Sequence, residues 1–274
     1  MELSILDRNN MEKAGCEDSN RVRKELEYKM NQYWGQRSSS YSQQNMAQLF
    51  GDKREEWENI IFSQLKEDKV LNILDIGTGP GFFAILSAMR GHNVTAVDMS
   101  QDMLDKAKKN AKFVGAEAEF MQVGSILPFE DKTFDLIISR DVTWTLTDPK
   151  KQLKNWAMKL KEGGTMLYFD AEWYYYLKDA EYRKEWERKK TNIIKNGGFV
   201  YEKSRSLEEL AINLPMTYEK RPLWDIKYWK TQKEFECKVD INLNPYIYNE
   251  KEQMQYEAFP EFLVCVRRKI NESC

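Results

Sequence analysis

With a single histidine among 274 residues, His92, the chain has little material for imidazole chemistry. His92 falls in a turn between a helix-like and a strand-like segment, the setting of a loop residue and not of a catalyst. Its four cysteines, Cys16, Cys237, Cys265 and Cys274, show no C-x-x-C spacing, so neither a zinc site nor a disulfide frame is expected. They read as free thiols of a cytoplasmic protein, with Cys237 and Cys265 as neighbouring core thiols in candidate strands. Basic excess is also missing: 42 Lys and Arg stand against 44 Asp and Glu, a formal charge of −2. Nonspecific binding to a nucleic-acid backbone depends on such an excess, so no nucleic-acid partner is expected. No apolar run approaches the roughly 18 residues of a membrane span. The opening MELSILDRNNMEK is polar and acidic, which is not the pattern of a secretory signal. Repeats and low-complexity tracts are absent. What remains is enough chain for one α/β core of average size with additions.

Residues 70–81, VLNILDIGTGPG, organise the rest. The apolar run Val70, Leu71, Ile73, Leu74, Ile76 predicts a strand buried on both faces, as in a parallel sheet. It stops at Gly77, Gly79 and Gly81, and an apolar helical segment, Phe82–Met89, follows. Glycines there let the backbone turn sharply and let a ligand approach main-chain N–H groups. A dinucleotide fingerprint requires G-x-G-x-x-G/A, and its last position is Phe82 here; a P-loop ending is also lacking. A second strand, within HNVTAVDMS, ends in Asp98, about 20 residues on, where a carboxylate accepts hydrogen bonds from ribose hydroxyls. Together they point to an adenosine ligand whose other end need not be a pyrophosphate.

DIGTGPG, VDMS, GSILPFEDKTFDLIISR and LKEGGTMLYFD, in that order over Val70–Asp170, resemble the successive motifs of class I S-adenosylmethionine-dependent methyltransferases. The likeness is strongest to the small-molecule branch that includes ubiquinone/menaquinone-type enzymes. It implies a Rossmann-like, doubly wound, mostly parallel seven-stranded sheet with an antiparallel last strand and a helical cap. The cofactor it implies is S-adenosyl-L-methionine, held by Asp75, Gly77, Thr78, Gly79, Gly81, Asp98, Met99, Ser125, Ile126 and Arg140. Met99 is expected against the adenine ring and Ile126 to offer its backbone N–H. At the end of the third strand, within EAEFMQVG, the family's Gly-Asp is replaced by Gly124-Ser125, which weakens the contact to the adenine amino group. In similar enzymes a Tyr-Trp…Arg-Ser…Tyr stretch folds over the methionine end. Tyr33, Trp34, Arg37 and Tyr41 match it, with Tyr33 and Arg37 expected on the cofactor and Trp34 and Tyr41 toward the acceptor.

Taken in order, residues 1–24 form a charged arm or a docked helix, and Glu25–Lys66 two or three helices, so that 1–68 is an N-terminal helical cap. The cofactor core covers 69–170. Ser100 is a good N-cap for a helix ending at Gly115. After the fourth strand, Phe134–Ser139, come Arg140, Asp141, Thr143 and Trp144, outside the strand ends where α/β sheets hold ligands. Asp148-Pro149 starts a helix over Lys150–Lys161, and Gly163-Gly164 turns into a fifth strand, Thr165–Asp170. Residues 171–233 form an inserted cap. Its first part, from Ala171 to Asn196, reads as one long helix with an aromatic stripe and i,i+4 charge pairs, Asp179/Arg183 and Glu185/Lys189. Residues 234–274 alternate like a closing antiparallel pair. The Asn244-Pro245-Tyr246 triplet is expected in a late loop, away from the position of the Asn/Asp-Pro-Pro-Tyr/Phe motif of DNA and protein-glutamine methyltransferases.

Methyl transfer from a sulfonium is an in-line displacement that needs alignment and exclusion of water, and no metal. If a base is used, Asp141 is the first candidate, then Asp170 and Glu172. Thr143, Trp144 and Trp173 join Trp34 and Tyr41 as the expected acceptor pocket. The acceptor is read as a small molecule with an O, N or S nucleophile. The alternatives are an RNA or protein substrate, or a module that binds S-adenosylmethionine without catalysis. The sequence leaves the oligomeric state undetermined.

Overall fold

The computed structural model describes residues 5–65, 69–197 and 205–270. Seven strands form one sheet in the order β3-β2-β1-β4-β5-β7-β6. They are β1 (Asn72–Ile76), β2 (Asn93–Asp98), β3 (Glu119–Gln122), β4 (Phe134–Arg140), β5 (Leu160–Asp170), β6 (Phe235–Asp240) and β7 (Phe262–Arg268). The first five pair in parallel, and β7 runs antiparallel to both β5 and β6. This is the doubly wound order with an antiparallel last strand that the sequence predicts. The central strands are apolar on both faces through their middles because helices cover both sides: Ile73, Leu74, Leu136, Ile137, Ile138 and Leu167 are all fully buried. The chain leaves β1 toward β2 and β3, then crosses back to β4. The crevice between the ends of β1 and β4 is therefore the switch point at which such sheets bind ligands.

The helices are α1 (Ile5–Phe50), α2 (Lys53–Phe62), α3 (Phe82–Met89), α4 (Gln101–Val114), α5 (Pro149–Met158), α6 (Ala180–Lys195), α7 (Arg205–Ala211), α8 (Leu223–Lys230), α9 (Asn244–Ile247) and α10 (Glu250–Gln255). Local signals set the core helices. Ser100 caps α4 by accepting from Met103 N, Gly115 stops it in a left-handed conformation, and Asp148 caps α5 with Pro149 in its first turn.

Elsewhere the elements differ from the sequence expectations. The expected arm and the first cap helices are one continuous 46-residue helix, α1. Gly35 and the Ser38-Ser39-Ser40 run do not break it, because tertiary packing on α4 holds it. A Cβ at Gly35 would stand 2.7 Å from Asp102 Oδ2, Ser42 and Asn110 exchange side-chain hydrogen bonds, and Phe50 meets Phe113 edge-on at 6.2 Å. The helix expected from Ala171 begins only at Ala180, where the Asp179 carboxylate accepts from the Glu181 and Tyr182 N–H groups. Before it, Tyr174 and Tyr176 are drawn into an aromatic cluster with Leu26, Met30 and Trp144, around a 3-10 turn at Tyr175–Leu177. Asp179 is thus a cap, and Glu185 pairs with Arg188, while Lys189 donates to the Glu257 carbonyl. β5 starts at Leu160 and absorbs Gly163-Gly164 as an irregularity in the ladder, with Gly163 at φ +73°. α5 correspondingly ends at Met158, not Lys161. Asn244-Pro245-Tyr246 opens the one-turn helix α9 instead of lying in a loop. Cys237 and Cys265 are half-buried free thiols on β6 and β7, one register step apart; the side chains of Cys16 and Cys274 lie outside the described ones. Among the described residues no helix is long and apolar enough to cross a membrane.

Candidate active site

The turn after β1 is built on left-handed glycines, with φ of +68° at Gly77, +53° at Gly79 and +93° at Gly81. At Gly77 the close approach matters as much as the angle, because a Cβ would fall 2.2 Å from Val142 Cγ2. At Gly79 a Cβ would meet nothing within 4 Å, which leaves an open cradle against the cleft. Two acids, the buried Asp75 and the half-buried Asp98, brace this turn. Asp75 accepts from the Thr78 hydroxyl at 2.6 Å and from Ala84 N at 3.0 Å, tying β1 to the start of α3. Burial pushes its carboxyl up to about 7, against those hydrogen bonds. Asp98, at the end of β2, accepts from Gly79 N at 2.9 Å and from Ser100 N at 2.8 Å. Burial raises it too, opposed by those backbone N–H groups. Each Asp98 oxygen keeps lone-pair capacity toward the cleft for a diol.

Above this turn lies a cleft of about 1190 Å³, counting its open mouth. Its floor combines Asp75, Gly77, Thr78, Gly79, Asp98 and Met99 with apolar Val97, Met103, Leu127 and Trp156. Its roof is α1, through Trp34, Tyr41 and Asn45, and its far wall is Arg140, Asp141 and Val142. Ser125 lines it, whereas the Ile126 side chain is 69% exposed and turned outward. Gly81 faces Ala107 of α4 rather than the cleft. Tyr33 and Arg37 do not line it either. Tyr33 sits edge-on to Trp34, and Arg37 donates from Nε to Ser40 Oγ and lies over the Tyr41 ring. Arg140 donates to Gln48 Oε1 and covers the rings of Trp57, Phe82 and Phe83.

Three of the residues expected in the acceptor pocket form the wall behind it. Thr143 donates to Asp170 Oδ2, Trp144 N donates to the same oxygen at 2.9 Å, and the Trp173 indole donates to Oδ1 at 2.8 Å. Arg221 Nη1 donates to Asp170 at 3.1 Å, and its Nη2 donates to Thr143 Oγ1 at 2.9 Å. With Ala171 N also bonded, the Asp170 carboxylate is fully engaged in holding the 3-10 turn Thr143–Thr145. It has no lone pair to spare for a proton in transit. Glu172 accepts from Arg221 N, burial pushes it up to about 7, and it does not line the cleft. Asp141 remains, on the cleft wall, with its N–H bonded to Phe169 O and its backbone at φ +58°. A non-glycine residue held in that region marks a position where strain is tolerated for a side chain's placement. Arg221 and Glu261 escaped the sequence reading, because no local motif marks either one.

Residues 74–168 match the family model described as a methyltransferase domain. Over those residues the chain carries a methyltransferase domain. Over 98 residues it is 32% identical to the ubiquinone biosynthesis O-methyltransferase of Coxiella burnetii, covering 35% of this chain and 42% of that one. It is 35% identical over 97 residues to the release factor glutamine methyltransferase of Bacillus subtilis, covering 31% and 34%. The chain thus spans less than half the length of these curated relatives. Among solved structures, the plantazolicin methyltransferase BpumL, in complex with a monoazolic desmethylPZN analogue and S-adenosylhomocysteine, superposes with a TM-score of 0.58 at 14% identity, covering 92% of this chain and 99% of that one. That likeness extends the shared fold over nearly the whole chain.

Proposed function

We propose that the chain is a methyltransferase that uses S-adenosylmethionine to methylate a small molecule. The observation that carries this reading is the Asp98–Gly79 pair at the cleft floor, a carboxylate placed on an open glycine cradle for a ribose diol. Val97, Met99 and Leu127 supply the apolar slot for a purine, and Ser125 the polar edge. When bound, the cofactor supplies an activated methyl group on a sulfonium. The chain's own part is to orient and to keep water out: α1 roofs the cleft, and the Asp170–Arg221 network holds the Thr143–Thr145 turn behind it. Asp141 is the residue on the wall that can hold or accept a proton from the acceptor.

A roofed cleft supports a small acceptor over a macromolecule, as does the end of β4. There the chain has Arg140-Asp141-Val142-Thr143 in place of Asn/Asp-Pro-Pro-Tyr/Phe. The match to a release factor glutamine methyltransferase favours a protein acceptor as the second reading. In the division proposed here, residues 1–68 and 171–233 form the cap, 69–170 the cofactor core and 234–274 the closing strands, in a cytoplasmic protein.

Calorimetric titration with S-adenosylmethionine and S-adenosylhomocysteine, beside Asp98→Ala, tests the cofactor site. Micromolar binding that the substitution abolishes is the expected result. A folded wild-type chain that binds neither compound sinks the reading. Transfer of labelled methyl to bulk protein, and to no small molecule, would move the assignment to the second reading.

A further inference from the structure

α1 crosses the apolar slot of the cleft from one rim to the other. On the first rim Glu27 lines the cleft, and its Oε1 accepts from the Thr147 hydroxyl at 2.9 Å, just ahead of α5. Two turns later along the same helix, a Cβ at Gly35 would stand 2.7 Å from Asp102 Oδ2 and 3.8 Å from Ser100 Oγ, at the start of α4. Eight residues of helix span about 12 Å. The strip of α1 between those two points therefore bridges the first turns of α5 and α4. Beneath it lie Met99, which leads into α4, and the buried apolar group Val97, Leu127, Leu146 and Trp156.

Such a slot satisfies the faces of a purine and leaves its polar edge to be met. The adenine edge carries an amino group that needs an acceptor, beside a ring nitrogen that needs a donor. Two side chains on the α5 rim have those groups free. Glu27 is half-buried, and its second oxygen, Oε2, has no hydrogen-bond partner among the described residues. Gln152 is only 8% exposed and lines the same cleft. Its Oε1 accepts from Asp148 N at 2.9 Å, so Nε2 is the free end of the carboxamide, and Nε2 donates to nothing among the described residues. An N–H set this deep without an acceptor is costly unless a ligand or water completes it. Gln152 stands one turn before Trp156 on α5, above the floor that Trp156 provides. Adjacent residues, Thr147 and Asp148, anchor the two side chains, so an acceptor and a donor are offered from neighbouring points of one rim. Ser125, on the β3 side, adds only a neutral hydroxyl.

We propose that Glu27 and Gln152 read the adenine edge of the cofactor, Glu27 Oε2 accepting from the amino group and Gln152 Nε2 donating to the adjacent ring nitrogen. This rests on the methyltransferase reading above and assigns the choice of base to the roof helix and α5, not to the end of β3. A 6-oxo purine reverses both polarities. It sets a carbonyl oxygen against the Glu27 carboxylate and a ring N–H against the Gln152 N–H, and each mismatch leaves a polar group on the rim unpaired.

Calorimetry on the full chain compares S-adenosylhomocysteine with S-inosylhomocysteine, which differs from it only at that edge. The adenine compound is expected to bind about ten-fold or more tightly. Glu27→Gln keeps the bond to Thr147 and replaces the free oxygen by an N–H donor; Gln152→Glu keeps the bond to Asp148 N and replaces the free donor by an oxygen. Each should remove most of the preference. A roof that is merely loosened weakens both compounds equally and leaves their ratio unchanged, so the ratio is the quantity read. Equal wild-type affinity for the two compounds, or a preference that survives unchanged in either variant, overturns the proposal. A folded wild-type chain that binds neither compound would instead overturn the cofactor reading on which it stands.

Discussion

Arg221 reaches back across 51 residues to Asp170, Nη1 to Oδ2 at 3.1 Å, and both side chains are closed off from solvent. The same guanidinium donates twice to Asp225 and once to Thr143, so one cation serves three chain segments. Removing it leaves Asp170 and Asp225 buried without their counter-charge. Arg221→Ala is expected to cost about 3–5 kcal/mol of stability, read by urea denaturation. Arg221→Lys should recover only part of it, since an ammonium cannot reproduce the fork. An unchanged midpoint for Arg221→Ala would show that the network contributes nothing.

Gly77→Ala meets two obstacles, the +68° φ and the contact at 2.2 Å with Val142. The single substitution should destabilise by roughly 1–3 kcal/mol and weaken S-adenosylhomocysteine binding at least ten-fold. Val142→Ala made together with it should relieve the clash and not the dihedral strain. A double-mutant cycle therefore returns a favourable coupling between the two sites if the contact matters, and none if only the backbone angle does.

Asp75 gives a pH dependence whose sign is fixed. Its folded-state carboxyl lies near 7, well above the value near 4 of an unfolded chain, so between those limits the native state binds more protons. Its contribution to stability falls as pH rises through that window. The unfolding free energy of Asp75→Asn minus that of the wild type should climb from about pH 4 to about pH 7 and then level off. A flat difference over that range would mean that Asp75 titrates normally.

Trp57 of α2 is 1% exposed and stands edge-on to Phe83 at 5.1 Å and to Phe169 at 5.0 Å, joining the cap to the central sheet. Trp57→Ala should lose about 3–5 kcal/mol, measured by thermal or urea unfolding. Because Arg140 lies over the same indole, the variant should also weaken binding in the cleft.

Local chemistry made the middle of the chain readable. The glycine turn, the acid at the end of β2 and the cap at Ser100 act within a few residues of where they stand, so spacing alone predicts them. α1 was harder, since few of its described side chains are buried and its continuity through Gly35 comes from α4, more than sixty residues away in sequence. The side chains behind the cleft were harder still. Thr143 and Trp173 are near it in sequence but are turned into the Asp170 network, and the Trp144 indole packs against Trp34 and Tyr174 while its N–H bonds to Asp170. Glu261 lies 91 positions from Asp170 and stands next to its register partner Phe262 only because β7 inserts antiparallel beside β5.

The roof of the cleft is one rod. From Trp34 to Asn45 it covers both the cradle at Gly79 and the wall at Asp141, with no loop between the two stretches. A continuous helix moves as one rod, so a displacement at either stretch is carried to the other. The Ser42–Asn110 hydrogen bonds seat that rod on α4 from outside the cleft, and a substitution at either residue is expected to change ligand binding without touching the lining, as calorimetry would read.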